Sequence, residues 1–412
     1  MLVMAAQDDT RPTLLFISPQ FLFPLDAGGK IRTTNILLNM KGGAFRIHLI
    51  SPATPDEETR WSDEIAAICD DYTTWRIAPR DRLHRLAGLL SPLPVSVWSD
   101  ALHESRQAVE TALKARPAVA VFDFTHSAAL MPSDTFMTKS GVRTVLFTHN
   151  VETEIFARHA KTAAFPMSLV WRVEHAKMAR FERTACSRFD TVIGVSGRDA
   201  MTLKETFGAA TTAAIPTGVD LDFFAYTPPA NETGPLIFTG SMDWRANQDG
   251  LTWFLHDVWP LIAAARPQTS LKVIGKNPPQ HLIDAAGKAC ANWTFTGFVD
   301  DIRPHAAGGS AYVIPLRVGG GTRIKAYEAM AMGMPVVSTT LGVEGLPLTP
   351  GEHFFSADTP EAFAAATLRL LAEADTRRAL SGAARAFVEA NASQKSVAEV
   401  FERICLDTLK AR

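Results

Sequence analysis

The strongest constraint on the fold of this chain is a repeated alternation between short apolar runs and longer amphipathic stretches. The runs are continuously apolar, which is typical of parallel strands that are buried on both faces. They lie at residues 14–17, 119–122, 144–148, 191–195, 236–240, 271–275, 311–315 and 335–338. The helical stretches between them predict an α/β protein with doubly wound sheets.

The length of 412 residues exceeds what one ordinary domain holds, so we expect two. A proline-rich stretch without periodicity, residues 227–235, reads as a linker. It separates an N-terminal domain, 1–226, from a C-terminal domain, 236–392. Residues 393–412 are expected to form a C-terminal helix that can cross back to the N-terminal domain. Helices are predicted at 360–374, 376–390 and 393–410. Because parallel sheets bind ligands at the carboxyl ends of their strands, the two domains are expected to face a cleft.

Composition limits the partners and the compartment. Lys and Arg total 41 against 43 for Asp and Glu, so no overall positive field exists to hold nucleic acid. The cysteines, Cys69, Cys186, Cys290 and Cys405, are scattered and form no CxxC pair, which favours a reducing compartment. No apolar run approaches the roughly 18–20 residues that span a bilayer. We therefore expect a cytoplasmic protein whose membrane contact, where it has any, is peripheral.

Residues 158–188 are rich in Lys and Arg and contain several apolar side chains. Two interpretations stay open. One is a surface helix that touches anionic lipid. The other, which we favour on sequence grounds, is a helix packed on the core with a basic outer face.

A glycine-rich segment offers the clearest chemistry. A predicted strand leads through Gly319, Gly320, Gly321 and Thr322 into a helix that begins near Arg323. Glycines before a helix let the backbone approach a phosphate, and the free amides of the first turn attract the anion. A cation in that turn, such as Arg323 or Lys325, opposes the helix dipole and so needs a compensating anion. The alternative is an ordinary turn with solvated charges.

Several further segments occur in a characteristic order. They are residues 26–30, 195–196, 215–220 with Phe223, 240–247, 296–301 and 319–338. Together they resemble the retaining glycosyltransferases of family 4, which have the GT-B fold with two Rossmann-like domains. The resemblance spans nearly the whole chain. It implies that the N-terminal domain, 1–226, lies on the acceptor side and that the C-terminal domain, 236–392, binds the nucleotide sugar.

The resemblance implies transfer of a sugar from a nucleotide-diphosphate donor to a hydroxyl of a saccharide or lipid-linked saccharide, with retained configuration. The family implies no metal and no cofactor, since the nucleotide sugar is a substrate, and it points to polysaccharide biosynthesis. Two alternatives remain open. One is a catalytically silent relative that acts as a binding partner; the other is an epimerase or phosphorylase of the same fold.

Two departures from the family pattern bear on the donor site. The family commonly has two glutamates eight positions apart; Glu328 matches the second, but Gly320 stands at the first. The family also often places an Arg and a Lys after the first strand of the second domain, where this chain has only Arg245. We therefore hypothesise that Arg323 and Lys325 have taken over the diphosphate.

The remaining site residues follow from the resemblance and from their places after strands. Glu328 is expected to accept hydrogen bonds from the donor ribose, since a carboxylate has two acceptor oxygens. The donor-binding set consists of Gly28, Gly29, Arg245, Phe298, Val299, Gly320, Gly321, Thr322 and Glu328.

Two histidines follow strands of the first domain and compete for the place beside the reacting sugar. We favour His126 and group it with Arg323 and Lys325 as catalytic. His149, Asn150 and Glu152 are assigned to the acceptor side. The Asp220–Asp222 spacing resembles a metal-binding DxD, but it lies in a segment that the resemblance already explains, so no metal site is predicted.

Overall fold

Two parallel sheets organise the chain, one in each of two structural units. The computed structural model describes residues 10–76, 88–227, 234–318 and 323–411. The first unit ends at Pro216 and is completed by the segment from Val397 onward; the second unit is Thr217–Ser396. The division therefore comes before the predicted linker at 227–235, most of which lies outside the described residues.

The first unit has a seven-stranded sheet in the order β3-β2-β1-β4-β5-β6-β7. Its strands are β1 Thr13–Ile17, β2 Arg46–Pro52, β3 Asp71–Trp75, β4 Val119–Asp123, β5 Arg143–Phe147, β6 Thr191–Gly194 and β7 Thr212–Ala214. Its helices are α1 Gly28–Met40, α2 Pro55–Arg60, α3 Ser62–Ile68, α4 Val95–Asp100, α5 His103–Lys114, α6 Asp134–Ser140, α7 Glu152–Thr162, α8 Met167–Arg188 and α9 Gly197–Glu205. A short 3₁₀ helix, Thr125–Leu130, follows β4.

The second unit has a six-stranded sheet in the order β10-β9-β8-β11-β12-β13. Its strands are β8 Leu236–Thr239, β9 Leu271–Ile274, β10 Trp293–Phe295, β11 Ala311–Ile314, β12 Val336–Ser338 and β13 Phe355–Ser356. The helices are α10 Arg245–Trp253, α11 Trp259–Ala265, α12 Gln280–Lys288, α13 Arg303–Ala306, α14 Ile324–Ala331, α15 Pro360–Ala372 and α16 Ala374–Asn391. α17, Gln394–Lys410, runs from this unit into the first.

Alternate residues of each inner strand enter cores on opposite faces of the sheet. In β1, Leu14 and Phe16 belong to one buried cluster and Leu15 and Ile17 to the other. In β8, Leu236 belongs to one buried cluster of the second unit and Ile237 to the other. Because helices cover both faces, most positions of these strands are apolar, which explains the continuous runs in the sequence.

The order of the strands reverses once in each sheet, and that reversal determines where a ligand can bind. The reversal lies between β1 and β4 in the first unit and between β8 and β11 in the second. At such a point the connections leave in opposite directions and open a crevice beyond the carboxyl ends of the strands. The loops after β1, β4, β8 and β11 are therefore the expected binding loops.

The C-terminal helix α17 packs on the first unit. The ring of Phe401 lies 6.4 Å from that of Phe16 and 5.2 Å from that of Phe147. Further along, the hydroxyls of Thr408 and Thr191 are hydrogen-bonded at 2.8 Å. Across the described part of the chain, no helix combines the length and the apolar character that a membrane span needs.

Candidate functional site

The loops at the reversal point of the second sheet bring together Lys325, Asn247 and Thr239. Lys325 lies in the first turn of α14, which follows β11, and its Nζ donates to the backbone carbonyl of Thr239 at 2.8 Å and to Asn247 Oδ1 at 3.0 Å. Its ammonium group also lies 4.5 Å from the centre of the Phe238 ring. Burial lowers the pKa of Lys325 to about 7, although the Glu328 carboxylate opposes this shift.

Asn247 explains why the ammonium group of Lys325 is held in place. Its side chain is 2% exposed, and its Nδ2 donates to the backbone carbonyl of Ser241 at 2.7 Å. That bond orients Oδ1 towards Lys325. Gly240, at φ 152°, leaves the space that the two side chains occupy, because a Cβ there would lie 2.6 Å from Asn247 Nδ2 and 2.9 Å from Lys325 Nζ.

Arg323 is the residue immediately before α14, and only 3% of it is exposed. Its guanidinium group lies 5.9 Å from the centre of the Trp244 ring and 3.8 Å from the Glu344 carboxylate. Burial lowers the pKa of Arg323, and the charge of Glu344 opposes this shift. The first turn of α14 holds no acidic residue. Two cations thus stand at the positive end of a helix dipole, an arrangement that favours an anion.

Glu328 lies one turn further along α14 and is half-buried. Burial raises the pKa of its carboxyl group, and the nearby charge of Lys325 opposes this shift. Burial raises the pKa of the Tyr312 hydroxyl, and the charge of Glu328 adds to this shift. Tyr312 is itself hydrogen-bonded to the Thr239 hydroxyl. The structure therefore places Glu328 beside the Lys325 and Thr239 cluster.

Three other donor residues predicted in the second unit, Arg245, Phe298 and Val299, lie within the described residues. Arg245 begins α10 and is exposed. Phe298 is 71% exposed, whereas Val299 packs against the core of the second unit. The predicted phosphate loop of Gly320, Gly321 and Thr322 lies outside the described residues.

At the reversal point of the first sheet, His149 forms a buried pair with Asp123. The Nε2 atom of His149 lies 2.7 Å from Asp123 Oδ1, and the side chains are 3% and 0% exposed. Asp123 ends β4 and His149 follows β5, so neighbouring strands deliver the two groups to one edge. Thr33, in α1, donates to the other carboxylate oxygen at 2.9 Å.

The polar groups next to His149 determine which of its ring nitrogens carries the proton. On one side the Asp123 carboxylate only accepts; on the other, Arg32 Nη1, which only donates, lies 3.4 Å from Nδ1. The ring therefore carries its proton on Nε2 and presents Nδ1 as an acceptor. Burial lowers the pKa of Arg32, and the charges of Asp123 and Asp199 oppose this shift.

Gly29 lets α1 approach His149 closely. The Phe124 ring stacks on that of His149 with centres 4.0 Å apart, and a Cβ at Gly29 would lie 2.6 Å from Phe124 Cζ. Phe124 itself has φ 62°, a conformation that non-glycine residues rarely adopt and one that often marks functional sites. By contrast, a Cβ at Gly28 would meet nothing within 4 Å.

The two candidate histidines lie in different surroundings. His126 lies in the 3₁₀ helix after β4, with its Nδ1 3.6 Å from the carboxylate of Asp100. Burial lowers the pKa of His126, but Asp100, Glu152 and Glu182 outweigh that effect, and the pKa is raised. His149, not His126, lies beside the amino end of α1.

Of the predicted acceptor-side residues, Asn150 is exposed and Glu152 begins α7. Buried Glu182 accepts from the backbone amide of Glu152 at 2.8 Å and from that of Thr153 at 2.9 Å. Glu182 thus caps α7, and burial raises the pKa of its carboxyl group, although these hydrogen bonds oppose the shift. The charge of Glu152 contributes to the raised pKa of His126.

Sequence reasoning missed the residues that hold the site side chains in place. Thr33 and Thr239 carry no motif of their own, and Asn247 ends the segment 240–247 but received no role from the sequence. Each acts through a contact with a residue distant in the chain. Asp220, in the DxD spacing, accepts from the backbone amides of Asp222 and Phe223 and so stabilises a turn. Within the described residues, no group of three or more His, Cys, Asp or Glu side chains could hold a metal ion.

Part of the chain matches a known protein family. Residues 234–373, which include the Lys325 cluster, match the family described as glycosyl transferases group 1. A phosphatidyl-myo-inositol mannosyltransferase of Mycobacterium tuberculosis is 33% identical over 162 residues, which are 37% of this chain and 42% of the relative. The matched part is thus less than half of that relative's length.

Solved structures are similar over nearly the whole chain. HepE of Anabaena, in complex with UDP and glucose, gives a TM-score of 0.59 at 15% identity and covers 96% of this chain and 100% of that one. WaaG, a glycosyltransferase involved in lipopolysaccharide biosynthesis, gives 0.57 at 16% identity, with 95% and 99% covered. These likenesses confirm the predicted fold class, GT-B with two Rossmann-like α/β domains.

Proposed function

We propose that this chain is a retaining glycosyltransferase that moves a sugar from a nucleotide-diphosphate donor to a hydroxyl of a saccharide or lipid-linked saccharide. The observation that carries the proposal is the cluster of Arg323, Lys325 and Glu328 at the start of α14. It lies within the segment that matches the glycosyl transferase family, 234–373. The neighbours' names support a role in polysaccharide or glycolipid biosynthesis, and membership of family 4 belongs to the same proposal.

Arg323 and Lys325 bind the donor diphosphate in this account. Both are cations at the amino end of α14, and both are substantially desolvated. A diphosphate there is attracted by the two charges and by the helix dipole, which otherwise oppose one another. Bound anion also favours the charged form of Lys325, whose pKa is otherwise lowered to about 7.

Glu328 accepts hydrogen bonds from the two ribose hydroxyls of the donor. Its carboxylate is half-buried, and its pKa is raised by burial, so it is desolvated before the donor binds. Two neighbouring hydroxyl donors satisfy a carboxylate that has lost its water. The exposed ring of Phe298 is available to contact the nucleotide base.

In the transition state the sugar becomes oxocarbenium-like while negative charge grows on the departing diphosphate. Fixed cations aimed at that charge lower the barrier, and Arg323 and Lys325 have this role. The leaving phosphate oxygen accepts the proton of the acceptor hydroxyl, so no side-chain base and no metal is needed. The bond to the acceptor oxygen forms on the face that the diphosphate leaves, which retains the configuration.

We assign the contact with a sugar hydroxyl to His149 rather than to His126. Asp123 holds the proton of His149 on Nε2, so the lone pair of Nδ1 is kept for an acceptor role. Arg32 Nη1 lies 3.4 Å from that nitrogen, and the sugar hydroxyl replaces it there when the donor binds. Gly29 and Arg32 lie next to that nitrogen, and the amino end of α1 carries no acid in its first turn. The first unit thus presents an acceptor nitrogen beside a group of donors.

The test is incubation of the purified chain with nucleotide sugars and acceptor glycans, followed by determination of the anomeric configuration of the product. We expect transfer with retention, unaffected by a chelator. Inverted product would contradict the mechanism. Binding without turnover would favour the silent relative, and conversion of the donor without acceptor would favour an epimerase or phosphorylase.

A further inference from the structure

The turn between α7 and α8 leaves large apolar side chains in solvent. Phe165 is 84% exposed, Met167 50%, Leu169 58% and Val173 49%. We call these four residues the hairpin surface. Contiguous exposed apolar side chains of this kind mark interaction sites in soluble domains.

The exposed apolar side chains are confined to one face of α8, because the opposite face is well packed. Trp171 packs edge-to-face on Phe156 with ring centres 5.5 Å apart and stacks on His159 at 4.5 Å. Glu174 and Met178 are buried on the same helix. The sequence favoured a core-packed helix with a basic outer face; the structure shows that the outer face is apolar as well as basic.

The charges around the hairpin surface have one sign. Between Glu154 and Glu174 the chain contains no Asp or Glu. The same interval holds exposed Arg158, Lys161 and Arg172. Glu174 does not counter them from the surface, because it is 5% exposed and accepts from the backbone amide of Val95 at 2.7 Å.

A second segment brings another apolar side chain to the same helix. Lys177 Nζ donates to the backbone carbonyl of Leu89 at 2.8 Å, and also to Glu174 at 2.8 Å. The next residue, Leu90, is 91% exposed. The hydrogen bond to Lys177 therefore ties an exposed leucine to α8, one turn beyond Val173.

We propose that the hairpin surface is a docking site for an anionic lipid bilayer. Phe165, Met167, Leu169 and Val173 enter the boundary between headgroups and acyl chains, and the three cations face the lipid phosphates. Apolar side chains surrounded by Lys and Arg bind membrane interfaces in this way, because the free energy of burying apolar surface adds to that of attraction to anionic lipid.

Charge complementarity favours lipid over a second copy of this chain. Two copies joined through this surface would bring Lys161 and Arg172 of each against the same cations of the other, which costs free energy. Lipid docking goes beyond the proposed function, since it requires neither donor nor turnover. Only its consequence, that the protein sits where a lipid-linked acceptor lies, rests on the proposed function.

The experiment is co-sedimentation of the full chain with vesicles of phosphatidylcholine and phosphatidylglycerol, against vesicles of phosphatidylcholine alone, without nucleotide sugar. We expect binding to the mixed vesicles that weakens with salt. Arg172→Ala and Lys161→Ala should each reduce the partition coefficient about fivefold, from about 1 kcal/mol per cation near an anionic surface. Leu169→Ser combined with Phe165→Ser should abolish binding.

Matched controls lie on α9 of the same unit. Lys204→Ala removes an exposed cation, and Met201→Ser removes an apolar side chain that is 59% exposed. Both should bind vesicles like the unaltered chain, and circular dichroism verifies that every variant is folded. The proposal is overturned if the chain does not bind the mixed vesicles, or if hairpin and control variants bind equally. A lipid-free dimer that the Leu169→Ser and Phe165→Ser changes dissociate would also overturn it, in favour of self-association.

Discussion

His149 Nε2 and Asp123 Oδ1 are 2.7 Å apart in a buried pair that joins the ends of β4 and β5. The carboxylate sets the tautomer of the ring and leaves the lone pair on Nδ1, which the proposed mechanism offers to a sugar hydroxyl. We expect Asp123→Asn to reduce kcat, which corresponds to a loss of about 1–3 kcal/mol of transition-state stabilisation. The donor KM should change little. His149→Ala should have at least that effect. Steady-state kinetics check both.

The comparison for this prediction is His126→Ala, which removes a histidine paired with Asp100 instead. We expect that variant to lose stability and to keep kcat within a few-fold. A larger loss of kcat from His126→Ala than from His149→Ala would reverse our assignment of the two histidines.

Gly29→Ala and Gly28→Ala form a matched pair for the close approach of α1. At Gly29 a Cβ would be 2.6 Å from the Phe124 ring, which cannot move without disturbing its stacking on His149. We expect Gly29→Ala to lower the free energy of unfolding by about 1–3 kcal/mol, the usual cost of overpacking. Gly28→Ala should leave it unchanged or raise it, because alanine favours helix. Urea titration of both variants measures the difference.

Burial of Lys325 makes stability depend on pH. Its pKa is about 7 in the folded chain against 10.5 when unperturbed. Between these values the unfolded chain binds the additional proton, so stability rises with pH by up to about 1.4 kcal/mol per pH unit. Below pH 7 Lys325 is protonated in both the folded and the unfolded chain. The free energy of unfolding is then lowered by the full cost of burying its charge.

The check is Lys325→Met, which lacks the titrating group. We expect this variant to be more stable than the unaltered chain at pH 6, and the advantage to shrink as pH rises above 7. Parallel curves of stability against pH for the two proteins would refute the burial of a charged Lys325.

Donor affinity should depend on both cations at the start of α14. In the proposed donor site, Arg323→Ala and Lys325→Ala each remove a charge-assisted contact with the diphosphate, and we expect each to weaken donor binding about 10- to 150-fold. Isothermal titration with the nucleotide sugar measures this, and Lys288→Ala on α12 serves as a distant cation control. Unchanged affinity in both site variants would mean that the diphosphate binds elsewhere.

The sequence predicts every inner strand except β2 and misses the edge strands. The apolar runs correspond to β1, β4, β5, β6, β8, β9, β11 and β12. The edge strands β3, β7, β10 and β13 carry no such run, because they retain exposed or half-buried positions that polar residues can occupy. β2 is an inner strand, but Arg46 and His48 interrupt its apolar pattern.

The site could be predicted only as far as the ends of strands. That His149 and Lys325 follow strands is readable from the order of the segments. That His149 faces Asp123, and that Lys325 is held by Asn247, depends on contacts between loops that only the order of the strands brings together. For the same reason, the sequence alone does not decide between His126 and His149, since both come after a strand of the first sheet.

The most direct test of the donor site is thermal unfolding with UDP, GDP, ADP, CDP and dTDP, repeated on Glu328→Ala and on Glu361→Ala, an exposed control on α15. A ligand at 100 times its Kd stabilises by about 2.7 kcal/mol, which a melting curve resolves. We predict that one diphosphate raises the Tm, that Glu328→Ala diminishes this shift, and that Glu361→Ala preserves it. No shift with any diphosphate, or equal shifts in all three proteins, would contradict the donor site at α14.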